Sequence, residues 1–209
     1  MTTLTPNATF NQLASQEQIA RTVEALSANG MTTLVAENGD QARLQVLDLL
    51  PDRTQVFTAK SKTLEQIGLS AEIEASPHLQ SVRARLLTLD RQTQDREMRQ
   101  VGSSPDVVIG SVHAITAQGQ VLVASASGSQ MASYVYGAGK VIWVVGTQKL
   151  VKDLEEGMSR INEYAFPLED ARIREVYGRG SVLAKILLVQ RELIPGRTTI
   201  VLVKENLGY

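Results

Sequence analysis

Three short segments hold the residue types that could do chemistry, and each follows an apolar run of strand length. GSVHAITAQG (residues 110–119) comes after DVVI and offers Gly110, Ser111, His113 and Thr116. SASGSQ (125–130) comes after QVLVA and offers Ser125, Ser127, Gly128, Ser129 and Gln130. GTQK (146–149) comes after VIWVV and offers Gly146 and Lys149. In the second segment, hydroxyls and a permissive glycine precede a helix-like run whose first N–H groups are free, an arrangement that suits an anion. The same residues serve equally as a helix cap, with Ser127 or Ser129 at the N-cap. Lys149 would place a cation beside that anion, although a lysine there also suits an exposed surface. His113 is the one candidate proton shuttle near neutral pH. A histidine between Val112 and Ala114 equally suits a packed position, and His78 reads as structural or exposed.

The elements around these segments predict how they are brought together. A loose tail over residues 1–9 is followed by a helix with Ile19, Val23 and Leu26 on one face, stopped by Asn29 and Gly30. A strand over 31–36, a helix from Gly39 with Ala42, Val46, Leu49 and Leu50 inward, and a strand over 54–59 follow. That alternation predicts an α/β fold with a Rossmann-like, mostly parallel sheet. Residues 60–104 interrupt it with a helix signal over 61–68, a boundary at Pro77 and a charged stretch. In that stretch Arg91 and Asp95 stand four apart, as on an exposed helix face. The runs 106–110, 120–124 and 140–145 are apolar without alternation, which predicts strands covered on both faces. A short helix is expected over about 129–137. A long one carries Val151, Leu154, Met158, Ile161 and Ala165. The last two apolar runs, separated by Pro195 and Gly196, predict an antiparallel C-terminal hairpin. With no repeat or linker, residues 10–209 read as one domain. In a parallel sheet, loops at the carboxyl ends of strands share an edge, where ligands bind.

Composition narrows the function classes. The 209 residues carry 21 basic and 22 acidic side chains and are 43% hydrophobic, which suits a folded core and gives no basic face for nucleic acid. Cysteine is absent, so this chain supplies no disulfide, thiolate nucleophile or cysteine ligand for a cluster. Two histidines cannot build a multi-histidine metal centre. There is no G-x-S-x-G, H-E-x-x-H or G-x-G-x-x-G, and YGAGKV lacks the upstream glycine and the Ser/Thr of a P-loop. Nicotinamide or flavin binding thus lacks its usual sequence support, and the cofactor is left unknown. The beginning of the chain lacks a basic, apolar leader and no stretch is of membrane-spanning length, so a cytoplasmic location without membrane attachment is expected.

The combination of a strand, a small-residue turn, a helix, VVGTQK and then LEEG with an aliphatic helix resembles the LUD-domain family. This family is named for lactate utilisation and includes LutC/YkgG-like proteins. The resemblance is strong over 106–167 and extends to SVRARLLTLDRQTQDREM and PGRTTIVLVKENLGY, which look like a bacterial stand-alone LUD subgroup. It implies a fold of the NagB/RpiA/CoA-transferase-like type, a role in lactate or organic-acid utilisation, and iron–sulfur redox partner proteins that would hold any cluster. Related folds take phosphosugars, CoA esters or folates at the strand-end edge. In relatives the turn before the QVLVAS-like strand commonly carries an acidic residue, whereas here the turn is TAQG, with Ala117 and Gln118. Alanine supplies no titratable group, which weakens the enzyme reading more than the binding reading.

Three functions are thus expected to compete. The first is binding of a small anionic metabolite by the three loops. The second is an isomerase or acyl-transferase, which needs a further carboxylate from Glu155, Glu156 or the 90–99 stretch. The third is a non-catalytic subunit or regulator that docks with redox partners. A homodimer is compatible with all three, and no sequence feature fixes the state.

Overall fold

A computed structural model of the chain describes residues 4–209. The expected tail lies partly outside the described residues. Of the remainder, Asn7 donates from its main-chain N–H to the Glu163 carbonyl at 2.8 Å.

The first half alternates helices and strands: α1 (Gln16–Ala28), β1 (Thr32–Ala36), α2 (Gly39–Asp48) and β2 (Gln55–Thr58). Then come α3 (Lys62–Gln66), α4 (Leu69–Ala75), the two-residue β3 (Gln80–Ser81), α5 (Val82–Thr88) and α6 (Asp95–Ser103). The second half holds β4 (Val107–Gly110), β5 (Ala114–Thr116), β6 (Val121–Ser125) and β7 (Lys140–Gly146). It closes with β8 (Leu150–Val151), α7 (Leu154–Arg160), α8 (Phe166–Tyr177), β9 (Lys185–Val189) and β10 (Thr198–Val203). Local chemistry sets several starts. Ser15 and Gln18 form a reciprocal capping box on α1, and Asn38 and Asp153 accept from the third residue of α2 and α7.

Six strands form one parallel sheet in the order β1-β10-β7-β4-β2-β3. Its central strands are apolar throughout because both faces are covered. Val141, Trp143, Val145, Ile200 and Leu202 join α1 in one core, while Ile142, Val144, Val201 and Val203 join α2, α3 and α4 in another. A second, mixed sheet runs β8-β5-β6-β9. Its Ile115, Val121 and Val123 face the first core, and its Ala114, Leu122 and Ala124 pack against Val151 and Ile161.

Four local expectations are revised. The two C-terminal apolar runs are strands, but they do not pair as a hairpin: β9 runs antiparallel to β6, and β10 is inserted in parallel between β1 and β7. Both runs are apolar, yet β9 is a half-exposed edge and β10 is buried at the centre of the sheet. Residues 110–119 are not one loop, because β5 crosses there into the second sheet and turns back into β6. The short helix expected over about 129–137 forms, with one π-type turn over Ser133–Gly137, whereas Val151, expected on the long helix after it, lies in β8 and that helix starts at Leu154. Arg91 lies in a turn before α6, and Asp95 pairs instead with Arg99.

Candidate functional site

The parallel sheet delivers its strand ends to one edge. β2 leads into residues 59–63, β4 into Ser111 and His113, β7 into Thr147–Lys149, and β10 into residues 204–209. A cavity of about 350 Å³ opens there, walled on the other side by the end of β6, α8 and residues 181–183.

At its base, Lys149 is 1% exposed and pairs with no carboxylate among the described residues. Its Nζ donates to Ser111 Oγ at 3.0 Å and Thr63 Oγ1 at 3.1 Å. The Thr63 hydroxyl in turn donates to the Leu207 carbonyl at 3.1 Å, and Gln148 Nε2 donates to the same carbonyl at 2.9 Å. Burial, and then the neighbouring Arg160 cation, push the Lys149 amine well below its ordinary value.

His113 stands beside it with part of its surface open to the cavity. Its Nδ1 accepts from the Ala124 main-chain N–H at 3.1 Å, so in the neutral ring the proton sits on Nε2. Burial, then the charges of Lys149 and Arg160, hold the ring down to about 3. At neutral pH His113 is therefore a fixed hydrogen-bond donor. The expected proton shuttle would need a nitrogen that exchanges protons near neutrality, and Nδ1 is already committed to the main chain.

The opposite wall carries a cluster that the sequence reading missed. Glu169 accepts both arms of Arg172, at 2.7 and 2.6 Å, and the hydroxyl of Tyr209. Burial alone would raise the Glu169 carboxyl, but the bonds from Arg172 and Tyr209 outweigh it and hold the group below its usual range. Lys60, Lys62 and Glu65 also line the cavity, with Lys62 and Glu65 paired at 3.0 Å.

The structure brings together seven of the expected site residues: Ser111, His113, Ser125, Ser127, Ser129, Gln130 and Lys149 all line this cavity. The serine-rich loop closes on itself. Gly128 N–H donates to Ser125 Oγ at 2.9 Å and Ser129 N–H to Ser127 Oγ at 3.3 Å, so two of the loop's N–H groups are used within it, while its serines and Gln130 line the cavity. Gly128 itself supplies the left-handed turn, at φ +77°, and is not part of the lining. Gly110 and Gly146 act one layer back. A Cβ on Gly110 would lie 1.7 Å from the Tyr134 hydroxyl, and one on Gly146 would lie 2.6 Å from the Glu205 carbonyl, so both permit close packing. Thr116 lies outside the lining, at the far end of the β5–β6 hairpin, where its hydroxyl accepts from Gln120 N–H at 3.1 Å. Ala117 and Gln118 share that turn. Asn29 donates to the Gln118 carbonyl at 2.8 Å, which sets the turn against the end of α1 and away from the cavity. The absence of a carboxylate at residue 117 therefore leaves the cavity's own acid, Glu169, untouched.

Glu169, Arg172 and Tyr209 gave no signal in sequence beyond an ordinary i, i+3 pair on a helix. The signal for Arg160 was stronger, since its spacing from Gly157 and Tyr164 sets it on the inward face of its helix; all three are buried. Among the described residues no cluster of His, Cys, Asp and Glu could hold a metal ion, and no helix is long and apolar enough to cross a membrane.

The LUD domain model matches residues 19–203. The crystal structure of a DUF162 family protein from Deinococcus radiodurans superposes with a TM-score of 0.58 at 13% identity, covering 92% of this chain and 99% of that one. At this identity the likeness is one of fold. No curated protein matches the sequence. With the family model spanning nearly all of both sheets, the chain belongs to the LUD-domain family.

Proposed function

We propose that this chain binds a small anionic metabolite of organic-acid metabolism in the strand-end cavity, with the ligand's acid group set against Lys149. The LUD-domain family is associated with lactate utilisation, which agrees with a ligand of this class. The observation that carries the reading is the environment of Lys149: a 1%-exposed amine in the cavity wall, bonded only to hydroxyls, with no carboxylate partner among the described residues and with the buried Arg160 cation behind it. A buried cation without a counter-ion is costly. An entering carboxylate or phosphate would supply the missing charge, and Ser111, Thr63 and the His113 Nε2–H would orient it. Ser125, Ser129 and Gln130 would take the remainder of the ligand.

A thermal-shift panel of L-lactate, pyruvate, sugar phosphates, CoA esters, nucleotides and folates tests this, because a ligand of the native state raises the melting temperature. One anionic class is expected to stabilise the wild type and to leave Lys149→Met unmoved. Equal shifts in both proteins, or none in either, overturn the reading.

One observation favours an enzyme of isomerase or acyl-transferase type as the second reading. Such chemistry needs a carboxylate at the cavity, and Glu169 supplies one from the wall formed by α8. Its fork of bonds to Arg172 keeps it ionised, which suits a base more than an acid.

A further inference from the structure

We infer that Lys149 is an amine nucleophile that forms an imine with the carbonyl group of a 2-oxo acid bound in the cavity. The inference rests on the proposed anion site and names its substrate class. Four features of the wall support it.

First, Lys149 is positioned by two hydroxyls, Thr63 Oγ1 and Ser111 Oγ, at 3.1 and 3.0 Å, and by no carboxylate that would hold it as an ammonium. Burial and the adjacent Arg160 both favour the neutral amine, and only the neutral amine has the lone pair that attacks carbon. Second, the hydroxyl pair fixes the direction of Nζ without consuming its reactivity by ion pairing. Third, His113 keeps its proton on Nε2, because Nδ1 is occupied by Ala124 N–H. A neutral Nε2–H is a donor suited to polarising a carbonyl oxygen. Fourth, the carboxylate and carbonyl carbons of a 2-oxo acid are adjacent, so an acid group set beside Lys149 and Ser111 brings the carbonyl carbon to Nζ, and Lys60 in the lining adds a further cation.

The step balances without an oxidant or reductant. The Nζ lone pair attacks the carbonyl carbon while one amine proton passes to the carbonyl oxygen, giving a carbinolamine. The nitrogen lone pair then forms the C=N bond as the C–O bond breaks, and the oxygen leaves as water with the second amine proton. Both hydrogens of that water originate on Nζ.

The test uses the full chain at neutral pH with pyruvate, 2-oxobutyrate or 2-oxoglutarate, each in the presence of cyanoborohydride, followed by peptide mass mapping. L-lactate, 2-hydroxybutyrate and 2-hydroxyglutarate serve as partners that lack the carbonyl, and melting temperature is read in parallel. The expected result is one reduced adduct on the Lys149 peptide, formed faster than on every other lysine. Lys149→Arg keeps a cation but has no nucleophilic amine, so it should form no adduct at this position. The wild-type map decides the matter even if that variant fails to fold. Oxo and hydroxy acids that both raise the melting temperature with no enriched adduct overturn the imine and leave the anion site standing. Adducts spread evenly over surface lysines overturn it equally. No shift and no adduct with any acid overturns both.

Discussion

Arg160 donates from Nη1 to the main-chain carbonyl of His113 at 2.5 Å and from Nε to that of Gln148 at 3.3 Å. One fully buried guanidinium on α7 thus ties together the two strand-end segments that carry His113 and Lys149. The Tyr164 ring lies against it, 5.2 Å from the guanidinium carbon, and no carboxylate partner occurs among the described residues. Burial lowers the group to about 10, but it remains charged at any physiological pH.

Replacing Arg160 by Met keeps the volume and leaves two buried carbonyls without a donor. The expected cost is about 1–3 kcal/mol in urea unfolding. Arg160→Lys should recover little of it, since one ammonium does not reproduce the planar fork that spans both carbonyls. A Met variant as stable as wild type would show that the two carbonyls find other donors and that Arg160 does not organise the site.

The His113 titration has a defined sign. The unfolded ring has its ordinary value near 6.5, and the folded ring is held down to about 3. Between those values the unfolded chain binds a proton that the folded chain refuses. The stability linked to His113 is therefore complete above about 6.5 and is lost as pH falls toward 3. His113→Gln should flatten the loss of stability across that window while keeping a donor toward the cavity. Proton NMR provides a direct reading, since the chain has two histidines and the other, His78, is exposed. A His113 resonance that titrates near 6.5 in the folded protein would overturn the enclosed, neutral ring.

Lys149 works against the fold that holds it. Its folded amine is pushed well below the ordinary value of 10.5 by burial and by Arg160, so between the lowered value and 10.5 the unfolded chain binds a proton that the folded chain refuses. Lys149→Met removes that penalty and should unfold at a higher urea concentration at pH 7, by about 0.5–2 kcal/mol, while losing the ligand response. The gap should close as pH rises through 10.5, above which both states of the wild-type lysine are neutral. A variant less stable than wild type across the whole range would mean that the bonds to Thr63 and Ser111 outweigh desolvation.

The alternation of helix and strand made the parallel sheet legible in sequence, because strands covered on both faces must be apolar at every residue. Val141 through Val145 carry that signature. β9 and β10 misled for the same reason: both are apolar runs, and the difference between an edge and a centre lies in which strand each meets, which no local pattern encodes. The site divides similarly. Ser111, His113 and Lys149 were visible because each follows its own strand. Thr63 sits at the start of a short helix, Glu169 in the first turn of α8, and Tyr209 beyond the last strand. Only the closed fold places their side chains in one cavity.

Gly110 is the position where the sheet and the cavity wall come closest. It ends β4, and the Tyr134 hydroxyl lies where its Cβ would be, at 1.7 Å. Tyr134 is buried, lines the cavity and meets Trp143 edge-on, with ring centroids 5.4 Å apart and an interplanar angle of 80°. Arg197 fixes the turn that carries it, donating to the carbonyls of Ser133, Tyr134 and Ala138 while paired with Glu192 at 2.9 Å, so Tyr134 has little room to retreat. Gly110→Ala should therefore cost about 1–3 kcal/mol by overpacking. Trp143 is the sole tryptophan, so its emission reports the displacement of the tyrosine ring without labelling. The expected outcome is a shifted emission maximum and a lower urea midpoint, together with a weakened ligand response because Tyr134 is driven into the cavity. An alanine variant with wild-type emission and stability would show that the ring swings aside freely, and the wall at Gly110 would then be pliable rather than set by the sheet.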